Sequence, residues 1–304
     1  MNLYMPFPYR SLLLTVLVFA QTTLLFSQSD DEIITVNSSL VVLNATISDN
    51  AGKHVSGLIQ KNFKIFEDGV EQDISVFTPE STPFAAVILI DTSGSMEERV
   101  SMARAAAIRF LDGLRPDDSV CIFRFDSKVT LVQPFSNSRD VSDKIFDLKA
   151  DGMTTLNDAI FQASQELSKR TEKRRAIIVL SDGQDTISRQ SGDKALKAAL
   201  SANALIYTVD MSAVDASNSQ RVQNQGFLKN FAEKTGGTFI STPGGAALRT
   251  AFTNIVDELG VQYTLGYQPK NVRNDGKWRS IELRVAKPNL KIRTRKGYNA
   301  EKAK

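Results

Sequence analysis

The sequence predicts a doubly wound, mostly parallel α/β sheet, joined to a small β module that both chain ends supply. Three observations predict it. Residues 85–90, Ala-Ala-Val-Ile-Leu-Ile, run apolar without a break between Pro83 and Gly94, as a strand buried on both faces does. From about residue 83 to 260, strand-like runs alternate with amphipathic stretches of helical period. Outside that span only short alternating segments occur, separated by turn residues such as Asp68-Gly69 and Asn274-Asp275-Gly276.

In chain order, residues 1–29 have the make-up of a secretory signal. Arg10 precedes a mostly apolar stretch from 11 to 26, and Ser27-Gln28-Ser29 offers small residues for cleavage. The alternative is an uncleaved anchor, but Gln21, Thr22 and Thr23 leave the stretch short of the roughly 20 apolar residues that a spanning helix needs. The expected location is therefore secreted, periplasmic or cell envelope, with no stable membrane span after cleavage. Residues 30–80 form a β segment with strands at 40–47, 63–67 and 73–77 and a turn at 49–53. It is too small to bury much surface alone. It is expected to pack with residues 261–304, where 263–267, 279–285 and 291–295 read as strands.

Residues 81–260 form the α/β domain. Its strands are expected at 85–90, 119–125, 128–135, 176–180, 205–209 and 238–241, and its helices at 97–114, 140–149, 156–169, 193–202, 225–234 and 246–259. Gly236 and Gly260 fall at helix C-cap positions. The polar stretches 184–193 and 211–225 read as loops rimming the sheet.

The 304 residues are 42% hydrophobic and 23% charged, ordinary for a globular protein, and the net charge of +3 argues against nucleic acid as a partner of the whole chain. From residue 261 onward, twelve Lys or Arg face Asp275, Glu282 and Glu301, which reads as the solvated face of basic strands in preference to an acidic-partner surface. Cys121 is alone, so no intramolecular disulfide forms, and its apolar neighbours mark it as a core residue. His54 is also alone and reads as a turn residue, which excludes histidine triads and multi-histidine zinc sites. Tyr207, Phe110 and Phe123 are expected only to pack. Asp126 and Asp185 are expected to be solvated loop residues, with an acidic rim as the alternative.

Asp91-Thr92-Ser93-Gly94-Ser95 directly follows the first buried strand. Ligands of parallel α/β sheets bind beyond the carboxyl ends of the strands. Alternate residues of an extended segment share one side, so Asp91, Ser93 and Ser95 can converge. Their oxygens suit a small hard cation. Magnesium takes about six oxygens near 2.1 Å and usually keeps several waters. The bland alternative is a turn with a helix cap. Two further features reach the same sheet edge: Gly152-Met153-Thr154-Thr155 precedes an amphipathic helix, and residues 176–180 end in Ser181-Asp182-Gly183.

In that order these pieces resemble the von Willebrand factor type A domain and its metal-ion-dependent adhesion site. Against the family's G-G-T-x-L-x-D-A pattern, Gly152 takes the first position, Met153 replaces the second glycine and Thr154 takes the ligand position, with Thr155 the less favoured choice. The resemblance implies a Rossmann-like fold and a metal set of Asp91, Ser93, Ser95, Thr154 and Asp182, the last acting through water. It implies Mg²⁺, or Mn²⁺ or Ca²⁺, as cofactor, and a protein partner whose exposed Asp or Glu completes the shell, without enzymatic activity. The flanks, from Ser48-Asp49 to Asp68-Gly69 and at Tyr263-x-Leu265-Gly266-Tyr267-x-Pro269 and Arg295-Lys296-Gly297-Tyr298, look like exported bacterial proteins called VWFA-related. One alternative is a structural envelope scaffold whose metal site is vestigial or purely stabilising. A remoter one is a magnesium-dependent phosphatase-like hydrolase with Asp91 as nucleophile, where Ser93 stands in place of the expected second carboxylate.

Overall fold

The computed structural model describes residues 40–79, 82–140, 142–212, 218–241 and 245–302, and the expected signal segment lies outside them. First come β1 (Val41–Ser48), β2 (Phe63–Glu67), β3 (Val70–Gln72) and β4 (Ile74–Thr78). Strands and helices then alternate through β5 (Phe84–Asp91), α1 (Val100–Asp112), β6 (Ser119–Phe125), β7 (Val129–Ser136), α2 (Leu156–Ser168) and β8 (Arg174–Ser181). The alternation continues with α3 (Gly192–Ser201), β9 (Ala204–Asp210), α4 (Asn218–Thr235), β10 (Phe239–Ser241) and α5 (Gly245–Gly260). β11 (Tyr263–Tyr267), β12 (Trp278–Val285), β13 (Lys291–Arg293) and β14 (Gly297–Asn299) follow.

Six strands form the central sheet in the order β10-β9-β8-β5-β6-β7, all neighbours parallel except the β6/β7 pair. β5 lies between β8 and β6 with all eight residues buried, which is why its sequence is apolar at every position up to Asp91. Its alternating side chains divide the core. Phe84, Ala86, Ile88 and Ile90 pack with Phe110 of α1 and Phe252 of α5. Ala85, Val87 and Leu89 pack with Ile160 of α2, Leu196 of α3 and Phe231 of α4. The result is a three-layer α/β domain.

Two further sheets, β13-β1-β11-β4 and β14-β12-β2-β3, are antiparallel throughout. Their inner faces share one core that includes Leu43, Phe63, Ile65, Tyr263, Leu265 and Leu283, the arrangement of a β-sandwich. The two chain ends interleave within it: β11 lies between β1 and β4, and β12 between β2 and β14. β12 shows the sequence logic, burying Arg279, Ile281 and Leu283 while Trp278, Ser280 and Glu282 face out.

Buried polar bridges join sandwich and α/β domain. Arg174 of β8, fully buried, donates to the carbonyls of Pro79 and Gln262 and to the Thr264 hydroxyl. Glu258 of α5 accepts from Thr46 of β1 at 3.1 Å and from Tyr207 at 2.5 Å, and pairs with Arg293 of β13. Arg295 donates to the Leu200 carbonyl at the end of α3. The expected solvated basic face therefore fails for Arg279, Arg293 and Arg295. Arginine carries five donors on one planar head, which lets Arg293 and Arg295 bridge to the α/β domain while Arg279 donates within its own segment to Asp275 and the Arg273 carbonyl. Tyr207 likewise does more than pack, since its hydroxyl belongs to the Glu258 cluster.

Two sequence expectations need correction. Residues 140–149 do not form a helix; only a 3₁₀ turn at Asp143–Ile145 does. The Gln133 side chain takes the local backbone groups, accepting from Ser142 N and donating to Asp140 O. The loop expected over 211–225 is shorter, because α4 already begins at Asn218.

Candidate functional site

Asp91 is the last residue of β5, in register with Phe125 of β6, while Ile90 pairs with Leu180 of β8. Its carboxylate therefore emerges at the carboxyl edge of the sheet beside Ser181. Asp91 Oδ1 accepts from Ser93 N at 2.9 Å and from Ser93 Oγ at 2.6 Å, and the Ser93 and Ser95 hydroxyls lie 3.2 Å apart. Asp91 Oδ2 accepts from Ser181 Oγ at 2.6 Å, and Ser181 Oγ accepts in turn from Gly183 N. Asp91, Ser93 and Ser95 thus form one oxygen line running from the buried strand end to the exposed Ser95.

The Asp91 carboxyl is fully buried and forms no ion pair among the described residues. Burial pushes its pKa up to about 7, and nearby Asp182 adds to the rise, while the hydrogen bonds from Ser181 and Ser93 pull the other way. Asp182, one residue past β8, is also buried, and its Oδ1 accepts from Gln184 N at 3.2 Å. Two carboxylates thus share this edge without a protein cation.

The threonine loop is tied to the same turn. Asp151 N donates to Thr92 O at 2.9 Å and Gly94 N to Gly152 O at 3.1 Å. Gly152 has φ +77°, and a Cβ there would lie 2.5 Å from Ser127 Oγ, the acceptor for Met153 N, so the position requires glycine. Thr154 is buried, with its carbonyl accepting from the amides of Thr186 and Ile187. The Thr155 hydroxyl is committed elsewhere, donating to Asp126 O at 2.8 Å.

The structure brings Asp91, Ser93 and Ser95 into one cluster, with Asp182 close enough to act on Asp91 and Thr154 on a loop bonded to the cluster's backbone. It corrects the expectation for the other two acids. Asp126 is buried, paired with Arg124 at 2.6 Å, and accepts from Thr92 Oγ1 and Lys128 N. Asp185 binds the start of α2 through Asn157 N and Nδ2. Neither is a solvated loop residue; both brace loops around the site. The sequence reading missed Ser181, whose one signal was a hydroxyl residue at the end of an apolar run.

Among the described residues no three of His, Cys, Asp and Glu converge on one point. A cation held by Asp91 and Asp182 would draw its remaining oxygens from hydroxyls and water, a set that suits magnesium. The largest cavity among those described, about 610 Å³, lies at the seam of α5 with β1 and β13 and includes His54, Tyr207, Glu258 and Arg293 but none of the five site residues. His54 is thus a half-buried cavity residue bridged to Ser48. The candidate site is an open sheet edge, the shape that suits a macromolecular partner. Among the described residues, no helix is long and apolar enough to cross a membrane.

Comparison with known proteins agrees with the fold. Residues 86–184 match the family described as von Willebrand factor type A domain. Inter-alpha-trypsin inhibitor heavy chain H4 of Bos taurus is 30% identical over 131 residues, covering 38% of this chain and 14% of that one. An uncharacterized protein of Synechocystis sp. is 29% identical over 120 residues, covering 38% of this chain and 28% of that one. The chain thus spans less than a third of the length of these curated relatives. Among solved structures, a von Willebrand factor type A protein from Catenulispora acidiphila superposes with a TM-score of 0.50 at 15% identity, covering 88% of this chain and 75% of that one. At such identity the likeness speaks to fold alone.

Proposed function

Because residues 86–184 form a von Willebrand factor type A domain, we propose that the chain is an exported, metal-dependent adhesion module in which a divalent cation, Mg²⁺ foremost, joins the sheet edge to an acidic group of a protein partner. One observation carries this reading. A fully buried carboxylate, Asp91, lacks a protein cation yet lies in line with two hydroxyls that lead to the surface. Burying an uncompensated charge is costly, and a bound cation offsets it. Asp91, Ser93 and Ser95 would hold the ion directly. Thr154 would join them from the neighbouring loop, and Asp182 would act through water. With so few anionic ligands the ion stays electrophilic toward a carboxylate from outside.

Calorimetric titration of Mg²⁺ into the full chain and its Asp91→Ala variant tests the reading. Saturable binding by the parent, absent in the variant, is expected. No binding by the parent would refute the cation site. Metal that raises the melting temperature but never changes protein capture would favour the scaffolding alternative.

A further inference from the structure

Two cavities of about 590 and 520 Å³ adjoin at Ser127 and Lys128, which line both. The first also includes Asp151 and Gly152, and the second Thr155 and Ile187. Both therefore border the loop that carries Thr154, on backbone that bonds to the candidate cation turn through Gly152 O and to Thr154 O through Ile187 N. Their charges are unevenly committed. Lys128, Lys144 and Lys149 of the first and Arg189 of the second are exposed, and none forms an ion pair among the described residues. Two of the acids are tied to the fold. Asp126 is held by Arg124, and the Asp158 carboxylate accepts from the amides of Arg189 at 3.0 Å and Gln190 at 2.8 Å. Asp147, Asp151 and Asp158 have no side-chain partner among the described residues, so four unpaired cations face three unpaired carboxylates along this surface.

We infer that this surface takes an acidic peptide segment bearing several carboxylates, one completing the cation's shell and others meeting Lys128, Lys144, Lys149 and Arg189. The inference rests on the cation reading above and adds the partner's chemistry to it. A lone carboxylate at the cation would fix one point, whereas flanking cations select a run of acids and speed its encounter by long-range attraction.

The test is fluorescence anisotropy on the full chain, with a labelled oligoglutamate peptide and a control of equal length carrying one Glu among Gln residues, in Mg²⁺ and in EDTA. In Mg²⁺ the parent should bind oligoglutamate about tenfold more tightly than the control, and the gap should narrow at higher salt. Combining Lys128→Glu, Lys144→Glu and Lys149→Glu should abolish the gap while calorimetry still shows saturable Mg²⁺ binding. If charge reversal prevents folding, the Lys→Gln triple variant carries the same expectation. Equal affinity of the parent for both peptides, or a gap that survives in the variant, overturns the acidic-segment inference and leaves the cation reading standing. Failure of both peptides to bind in Mg²⁺ overturns the two together.

Discussion

Replacing Asp91 by Asn separates the charge of this buried group from its shape. Asn Oδ1 can still accept from Ser93, and its amide can donate to Ser181 Oγ, a hydroxyl with acceptor capacity beyond the bond it takes from Gly183 N. The main loss is the negative charge. With the folded pKa near 7 against an ordinary value near 4, the native state binds the proton more tightly than the unfolded chain does. The sign follows: without metal, stability carries no penalty from Asp91 below about pH 4, falls as pH rises toward 7, and above that bears the full cost. Three pKa units correspond to about 4 kcal/mol, a figure that already nets burial against the hydrogen bonds from Ser93 and Ser181. Urea unfolding followed by circular dichroism in EDTA should therefore show Asp91→Asn more stable than the parent at pH 8 and nearly equal to it at pH 4. Saturating Mg²⁺ should close most of that gap, since a ligand at about 100 times its Kd adds about 2.7 kcal/mol to the parent alone. Equal pH slopes in EDTA would refute the burial of an ionised Asp91, and equal Mg²⁺ shifts would place the metal elsewhere.

Three further outcomes are expected. Thr154→Ala should weaken Mg²⁺ affinity about tenfold, while Thr155→Ala should leave it unchanged and cost about 1 kcal/mol of stability through the lost bond to Asp126 O; the reverse pattern in calorimetry would shift the alignment by one residue. Glu258→Ala strips the acceptor from Thr46, Tyr207 and Arg293 at once and should cost about 3 kcal/mol in urea unfolding, so a loss below about 1 kcal/mol would show the seam to be held by packing alone. Deleting residues 261–304 removes β11 from between β1 and β4, and β12 from beside β2; amide exchange over residues 41–48 and 63–67 should then reach unprotected rates, and retained protection would refute the pairing.

What the sequence revealed and what it hid have physical causes. β5 was legible because burial on both faces leaves an apolar run that only a central strand produces. The start of α4 was not, since Asn218-Ser219-Gln220-Arg221-Val222-Gln223-Asn224 carries no apolar stripe. β3 and β14 span three residues each, too few to display a period of two. In the failed helix at 140–149, side chains from outside take the backbone groups: Gln133 takes Asp140 O and Ser142 N, Ser138 takes Asp140 N, and Arg104 takes Phe146 O. At the site, Asp91, Ser93 and Ser95 could be read together from their spacing, although the segment is extended only to Ser93, and Ser95 reaches the Ser93 hydroxyl from a 3₁₀ turn, Gly94–Met96. Ser181 meets Asp91 only through the lateral pairing of β8 with β5, which no local pattern encodes. Buried Arg174 and Arg295 ran against the usual exposure of that residue and became visible only when the seam was assembled.

The interleaving of the chain ends also dictates an order of assembly. β1 finds its neighbours β11 and β13 only after the whole α/β domain has been synthesised, because those strands lie beyond it in the chain. The emerging polypeptide must therefore carry β1 and β4 unpaired, and β2 paired with β3 alone, while the domain behind them folds, and the sandwich shuts last. Such late, long-range closure is slow and leaves open strand edges exposed to other chains. Whatever accompanies this protein during biogenesis has its work concentrated in that interval, shielding the first strands until the last ones arrive.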